Sequence, residues 1–194
     1  MVTRSVEVIQ RISEGKRLRL LFEMDRKDYD PEGSRFERPS VRGIIVRDGK
    51  VAMVHSKKYD YYKFPGGGIE PGEDQRATLI REVKEESGLV VIPDTIREFG
   101  WVHRIQKGSV DDIFIQDNYY YLCETEAIAG QQKLDDYEAE AEFVLAFVTP
   151  QTVTEVNRRE EHGAKSGNPL FVTMLEREAR VMELLIEEGI FSSL

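Results

Sequence analysis

Cysteine is nearly absent. Cys123 is the single thiol in 194 residues, so no disulfide can close within the chain, and the expected setting is reducing and cytoplasmic. Long apolar runs are missing too. The longest, at residues 89–92 and 143–148, are strand-sized, far short of the roughly 20 residues that a membrane-crossing helix needs. Near the start, Arg4, Glu7 and Arg11 stand where a secretory leader would be apolar. Basic charge is in deficit: 27 Lys and Arg against 36 Asp and Glu leave a formal net charge of −9. Nucleic-acid binding depends on a basic surface that neutralises phosphates, so neither a nucleic-acid nor a membrane partner is expected. Internal repeats and low-complexity tracts are absent as well. What remains is an ordinary globular composition, 40% hydrophobic and 32% charged, at a length that suits one domain with modest extensions. An acidic chain of this kind can still take a phosphorylated small molecule if a divalent cation stands between the two negative partners.

Along the chain, residues 1–38 carry the weakest pattern and are expected to be an N-terminal extension. Val6, Ile9 and Ile12 have helical spacing there, and Leu18, Leu20 and Phe22 alternate like a short strand. A turn-rich stretch follows at 28–33. Val41–Val46 reads as a strand, Asp48-Gly49 as a tight hairpin turn, and Val51–Val54 as the returning strand. Residues 65–72 hold four glycines and two prolines and make a loop. Residues 73–87 lack both and form a helix, for which Gly88 is the stop. Strands over 96–105 and 113–123 are joined near Gly108-Ser109, and residues 143–148 form another. Pro150 opens a helix to about residue 161, and 170–188 form a closing amphipathic helix with Leu175, Ala179, Met182 and Ile186 on one face. This order implies an α/β fold, a mixed sheet clamped between helices. The main domain spans 39–160, with a C-terminal helical extension over 161–194 packed on it.

The chemistry is concentrated between the glycine loop and Leu89. At about 100° per residue, Glu82, Glu85 and Glu86 fall within one arc of the helix, while Leu79, Ile80 and Val83 occupy the neighbouring arc. Carboxylates at i, i+3 and i+4 repel one another. Clustered hard oxygen donors are what Mg²⁺ or Mn²⁺ accepts, and the ion would cancel that repulsion. An acidic, solvated helix face balanced by Arg81 and Lys84 is the bland alternative. The loop weighs against it, because Gly66–Gly68 permit sharp bends that leave backbone groups bare for a metal or phosphate. Glu73 is expected in the first helical turn, where negative charge is favoured.

Gly67, Glu73, Arg81, Glu82, Val83, Glu85, Glu86, Gly88 and Leu89 together resemble the Nudix signature, G-x5-E-x7-R-E-U-x-E-E-x-G-U, at every specified position. The preceding Tyr62-Lys63-Phe64-Pro65-Gly66-Gly67 looks like the aromatic-x-apolar-Pro-Gly-Gly lead-in common in that family. The resemblance implies a Nudix-type α/β/α sandwich that hydrolyses a phosphoanhydride of an X-diphosphate-Y molecule by attack of water on phosphorus. It implies Mg²⁺ (or Mn²⁺) held by Glu82, Glu85 and Glu86, with the Gly67 carbonyl as an extra ligand. Arg81 would orient a ligand carboxylate, and Glu73 would tie the loop to the helix. The general base would come from Glu86 or from the acidic loop 135–142, where Glu140 and Glu142 are preferred over Glu138 for standing next to the strand at Phe143.

Lys57, Tyr62 and Lys63, with their neighbours Lys58, Tyr59 and Tyr61, are candidates to grip phosphates or stack a base. His55, His103 and Cys123 are expected to be structural, and one or two of Tyr119, Tyr120 and Tyr121 to be core. The alternative function is a catalytically silent Nudix domain acting as a nucleotide sensor, although such domains usually lose a box carboxylate. Nucleoside triphosphates and nucleotide sugars lead among the substrates, and dinucleotide polyphosphates stay open. ADP-ribose-cleaving members tend to carry a proline where this chain has Arg104-Ile105-Gln106. A homodimer is a family-level expectation.

Overall fold

Strand alternation sorts the apolar residues onto two sides of a pair of small sheets. The described residues are 18–126, 130, 132–162 and 169–191 of a computed structural model. In the first sheet, β1 (Leu20–Asp25) runs parallel to β7 (Arg97–Lys107), which pairs antiparallel with β8 (Ile113–Leu122). Along the other edge of β8 lie β2 (Arg35–Glu37) and then β3 (Ser40–Ile44), both parallel to it. In the second sheet, β5 (Lys50–Ser56) is central and every pairing is antiparallel. β9 (Phe143–Val148) lies on one side of it, and β4 (Val46–Arg47) and β6 (Tyr61–Lys63) on the other. The hairpin between β4 and β5 turns on Asp48 and Gly49, both at positive φ, the backbone that a two-residue turn of this type requires. The described end of the expected N-terminal extension is thus an edge strand of the domain's own sheet, while Val6, Ile9 and Ile12 lie outside the described residues.

Helices cover both sides. Val41, Ile45 and Ala52 pack with Leu79, Val83 and Leu89 around α1 (Gln75–Ser87). Their neighbours Ile44, Val51 and Met53 point the opposite way, onto Val153 and Val156 of α3 (Pro150–Asn157) and Val181, Met182 and Leu185 of α4 (Pro169–Glu187). Tyr120 shares that second core, whereas Tyr119 and Tyr121 belong to the first. This is the α/β/α sandwich expected from the order of elements. Among the described residues no helix is long and apolar enough to cross a membrane.

Three details differ from the sequence reading. The helix of the box starts two residues late, at Gln75: Asp74 is its N-cap, accepting from the N–H groups of Arg76 and Ala77 at 2.8 and 3.0 Å, and Glu73 lies before it. The short Asp side chain reaches those donors, and the longer Glu73 is left to reach along the helix. The acidic stretch 135–142 contains a short helix, α2 (Asp136–Glu140), closed by a capping box between Asp135 and Glu138. Finally, α3 stops at Asn157, short of residue 161, and the Asn157 side chain turns inward. Its Oδ1 accepts from the Tyr62 N–H at 2.9 Å and its Nδ2 donates to the Tyr62 carbonyl at 2.8 Å. With Glu178 of α4 accepting from the Phe64 N–H at 2.8 Å, two helices supply β6 with hydrogen bonds that a neighbouring strand would otherwise give.

Two outcomes follow for stability. Replacing Asn157 by Leu strips two buried backbone groups of their partners and is expected to cost about 1–3 kcal/mol for each, read as a lower midpoint in urea denaturation. Asp74→Ala removes only the cap, and a loss of about 1 kcal/mol, or about 2–4 °C in Tm, is expected in a thermal melt.

Candidate active site

The glycine loop between β6 and α1 is laced to β3. Gly43 donates its N–H to the Pro65 carbonyl at 2.8 Å, Val41 to that of Gly67 at 3.0 Å, and Ile69 to that of Pro39 at 2.9 Å. The chain has no room for side chains there. A Cβ on Gly66 would strike the Val41 carbonyl, and one on Gly67 would fall on the Glu82 carboxylate. Glycine therefore lets the backbone pass between β3 and the acidic face of α1. The Gly67 carbonyl, expected as a ligand, is already accepting from Val41, with one lone pair left.

On that face Arg81 gathers the carboxylates. Its Nε and Nη2 form a fork onto Glu73 at 2.9 and 2.8 Å, and its Nη1 reaches Glu82 at 2.6 Å and Glu85 at 3.2 Å. The fork holds the Glu73 carboxyl down at about 2 and ties the loop to the helix. Burial pushes Glu82 up from its ordinary range, and the negative charge of Glu86 adds to this, against the pull of Arg81.

Glu86 is 3% exposed. Its Oε1 accepts from Lys63 Nζ at 2.7 Å and its Oε2 from the Gly66 N–H at 2.9 Å. Burial alone would neutralise it, but Lys63 and Arg42 together hold its pKa below the ordinary carboxylate range. Beside it stands Glu138, hydrogen-bonded to Glu86 and 3.7 Å from Lys63. Burial, that hydrogen bond and the charge of Glu86 raise Glu138 to about 7.

The candidate residues from the sequence divide into two groups. Arg81, Glu82, Glu85, Glu86, Gly67 and Lys63 come together at the helix and its loop. Glu140 does not join them: it is 68% exposed and pairs with Lys58 at 2.7 Å. Glu142 is exposed at a positive φ and caps no site group. Adjacency to β9 was a poor guide, because α2 turns Glu138 inward and its next neighbours outward. Lys57 is exposed. Tyr62 is a core residue, buried and stacked on His55 with ring centroids 4.4 Å apart, so it offers no open face to a base. Arg42, buried beside the glycine loop, is not among the candidates that the sequence marks, although a charged residue inside an apolar strand is a visible signal.

The donor set has the chemistry of a hard divalent cation: three carboxylates on one helical face, one of them, Glu82, pushed toward neutrality by burial and then by the charge of Glu86. Their oxygens do not form a closed cage. Among the described residues no group of three His, Cys, Asp or Glu converges on one point, since Arg81 draws Glu82 and Glu85 while Lys63 draws Glu86.

Two curated relatives are similar over part of the chain. An ADP-ribose pyrophosphatase of Methanocaldococcus jannaschii is 32% identical over 109 residues, 54% of this chain and 59% of the relative. A CTP pyrophosphohydrolase of Escherichia coli is 42% identical over 53 residues, 25% of this chain and 39% of the relative. The chain thus spans less than two thirds of the length of either. Among solved structures, a NUDIX hydrolase from Nitrosomonas europaea is 19% identical with a TM-score of 0.49, covering 73% of this chain and 87% of that one. The NUDIX domain family model matches residues 37–168, well over half of the sequence and the whole of the box helix with its loop, and the chain belongs to the Nudix family.

Proposed function

We propose that the chain is a divalent-metal-dependent pyrophosphohydrolase acting on a nucleoside diphosphate-linked small molecule, a nucleoside triphosphate or a nucleotide sugar. The observation that carries this reading is the intact carboxylate face of α1 packed against the glycine loop, with Glu86 held charged in a buried position. The activities named for the archaeal and bacterial relatives, on ADP-ribose and on CTP, fit the same chemical class.

Glu82, Glu85 and Glu86 would hold Mg²⁺ or Mn²⁺, which when bound neutralises phosphate charge and acidifies water. The chain's own groups do the rest. Arg81 keeps Glu82 and Glu85 facing one way, and Glu73 keeps Arg81 in place. Lys63 is positioned by Glu86 and adds a cation at the floor of the site. Glu138 is the side chain best placed to take a proton from an attacking water, because it alone of the acidic stretch borders Glu86.

The test is phosphate release over nucleoside triphosphates, nucleotide sugars, ADP-ribose and dinucleotide polyphosphates with Mg²⁺ or Mn²⁺. Turnover of one class is expected, with kcat lowered on the order of 10²–10⁴-fold in Glu86→Gln and also in Glu85→Gln, whose half-exposed side chain leaves the core intact. Ligand binding without turnover of any class would sink the hydrolase and favour a nucleotide sensor. The assignment of the base has its own check. Glu138→Gln is expected to lower kcat by about 10²-fold with KM little changed, while Glu140→Gln stays within about twofold of wild type; equal effects would overturn it.

A further inference from the structure

A cavity of about 530 Å³ adjoins the box, walled by β3, β7, β8, the turn after β5 and the first turns of α4. Arg42 joins the two places: it lines the cavity, and its Nη1 donates to the Gly66 carbonyl next to the N–H that binds Glu86. The wall is rich in cations, with Arg42, Lys58, Arg104 and Arg177 against one carboxylate, Asp60. Asp60 is already engaged by His55 and Arg159. Arg177 is matched by Glu178, and Lys58 by Glu140.

Two arginines are left over. Arg104 is 3% exposed, and its direct partners among the described residues are neutral: the Gln106 Oε1 at 2.9 Å, the Leu170 carbonyl at 2.8 Å and the face of Phe114 at 5.1 Å, with Glu178 attracting it only from a longer range. Burial, with Arg177 and Arg26 close by, lowers it to about 9, so it is still a cation at neutral pH. Arg42 is 8% exposed, its Nε has no hydrogen-bond partner, and no carboxylate among the described residues lies within ion-pair distance. It has only the longer-range field of Glu82 and Glu86. Buried cations with no carboxylate in contact are costly, and an anion arriving in the cavity would offset that cost. The volume is that of a small-molecule site rather than of a lone ion.

We propose that this cavity receives a second anionic half of the substrate, Arg42 and Arg104 each binding phosphate oxygens beyond the anhydride that is cleaved. The preferred substrates are then polyphosphates rather than nucleotide sugars with a neutral second half. The placement of the anhydride rests on the hydrolase reading above; the anion site itself does not.

The experiment is calorimetric titration of the full chain with tripolyphosphate in EDTA at fixed ionic strength, for wild type, Arg104→Met and Arg104→Lys. Saturable binding is expected for wild type, weakened at least about tenfold in Arg104→Met and largely kept in Arg104→Lys, with the unliganded Tm of Arg104→Met no lower than that of wild type. No saturable binding to wild type, or equal binding by Arg104→Met, overturns the proposal. The wild-type titration decides even where Arg104→Met fails to fold. Binding of tripolyphosphate by a chain that hydrolyses nothing would uphold the cavity and remove the hydrolase; hydrolysis without such binding would do the reverse.

Discussion

A buried carboxylate that stays charged organises the molecule. Glu86, in the last turn of the box helix, has almost no exposure, and its charge survives because Lys63, the Gly66 N–H and Arg42 are all brought to it. Each comes from a different part of the chain: β6, the glycine loop and β3. An ion pair at this depth gains little net energy over a well-packed apolar pair, but losing one partner strands the other charge, at about 3–5 kcal/mol. The surrounding architecture reads as the means of keeping the partners in place. β6 holds Lys63, and β6 is itself held by Asn157 and Glu178. The C-terminal helices therefore reach the site through hydrogen bonds to one short strand, although they cover the far side of the sheets.

That dependence explains what the sequence could and could not tell. The box helix was legible because its information is local: carboxylates at helical spacing, a glycine loop before them and a glycine stop after. β9 was read with its bounds as observed, and the β4–β5 hairpin from Asp48-Gly49, since alternation and turn chemistry also act over a few residues. β6 is three residues long, and its hydrogen bonds come from helix side chains about a hundred residues later in the chain, so no periodicity marks it. The same holds for Glu138. Its capping role with Asp135 is visible in the spacing, yet nothing nearby in sequence says that the capped turn faces Glu86. Tyr62 misled for a related reason. An aromatic beside basic residues resembles a stacking platform in one dimension, whereas β6 is buried on both faces and Tyr62 stacks on His55.

Arginine is used in two different ways across the site. Arg81 is spent on protein carboxylates, satisfying Glu73, Glu82 and Glu85 together. Arg42 and Arg104 bond only to carbonyl and amide oxygens, so no carboxylate among the described residues touches them; Glu82 and Glu86 act on Arg42, and Glu178 on Arg104, from a longer range. The first arrangement fixes geometry. The second leaves positive potential facing the cavity, which is what a site for an incoming anion needs.

The two ends of the cleft therefore carry opposite signs in a chain of net charge −9. A polyanion approaching without a metal is attracted at the arginine end and repelled by Glu82, Glu85 and Glu86 at the other. On the proposed reading the arginine end supplies metal-independent affinity, and a divalent cation is needed only where the anhydride must lie against the box. Such a division separates binding from chemistry: contacts at Arg104 act on substrate and transition state alike and set KM, while groups around Glu86 act where charge changes during the reaction and set kcat. It also accounts for the burial of the arginines. Salt screens exposed charges beyond about 8–10 Å, whereas cations held under α4 keep their field in a site whose surroundings are otherwise acidic.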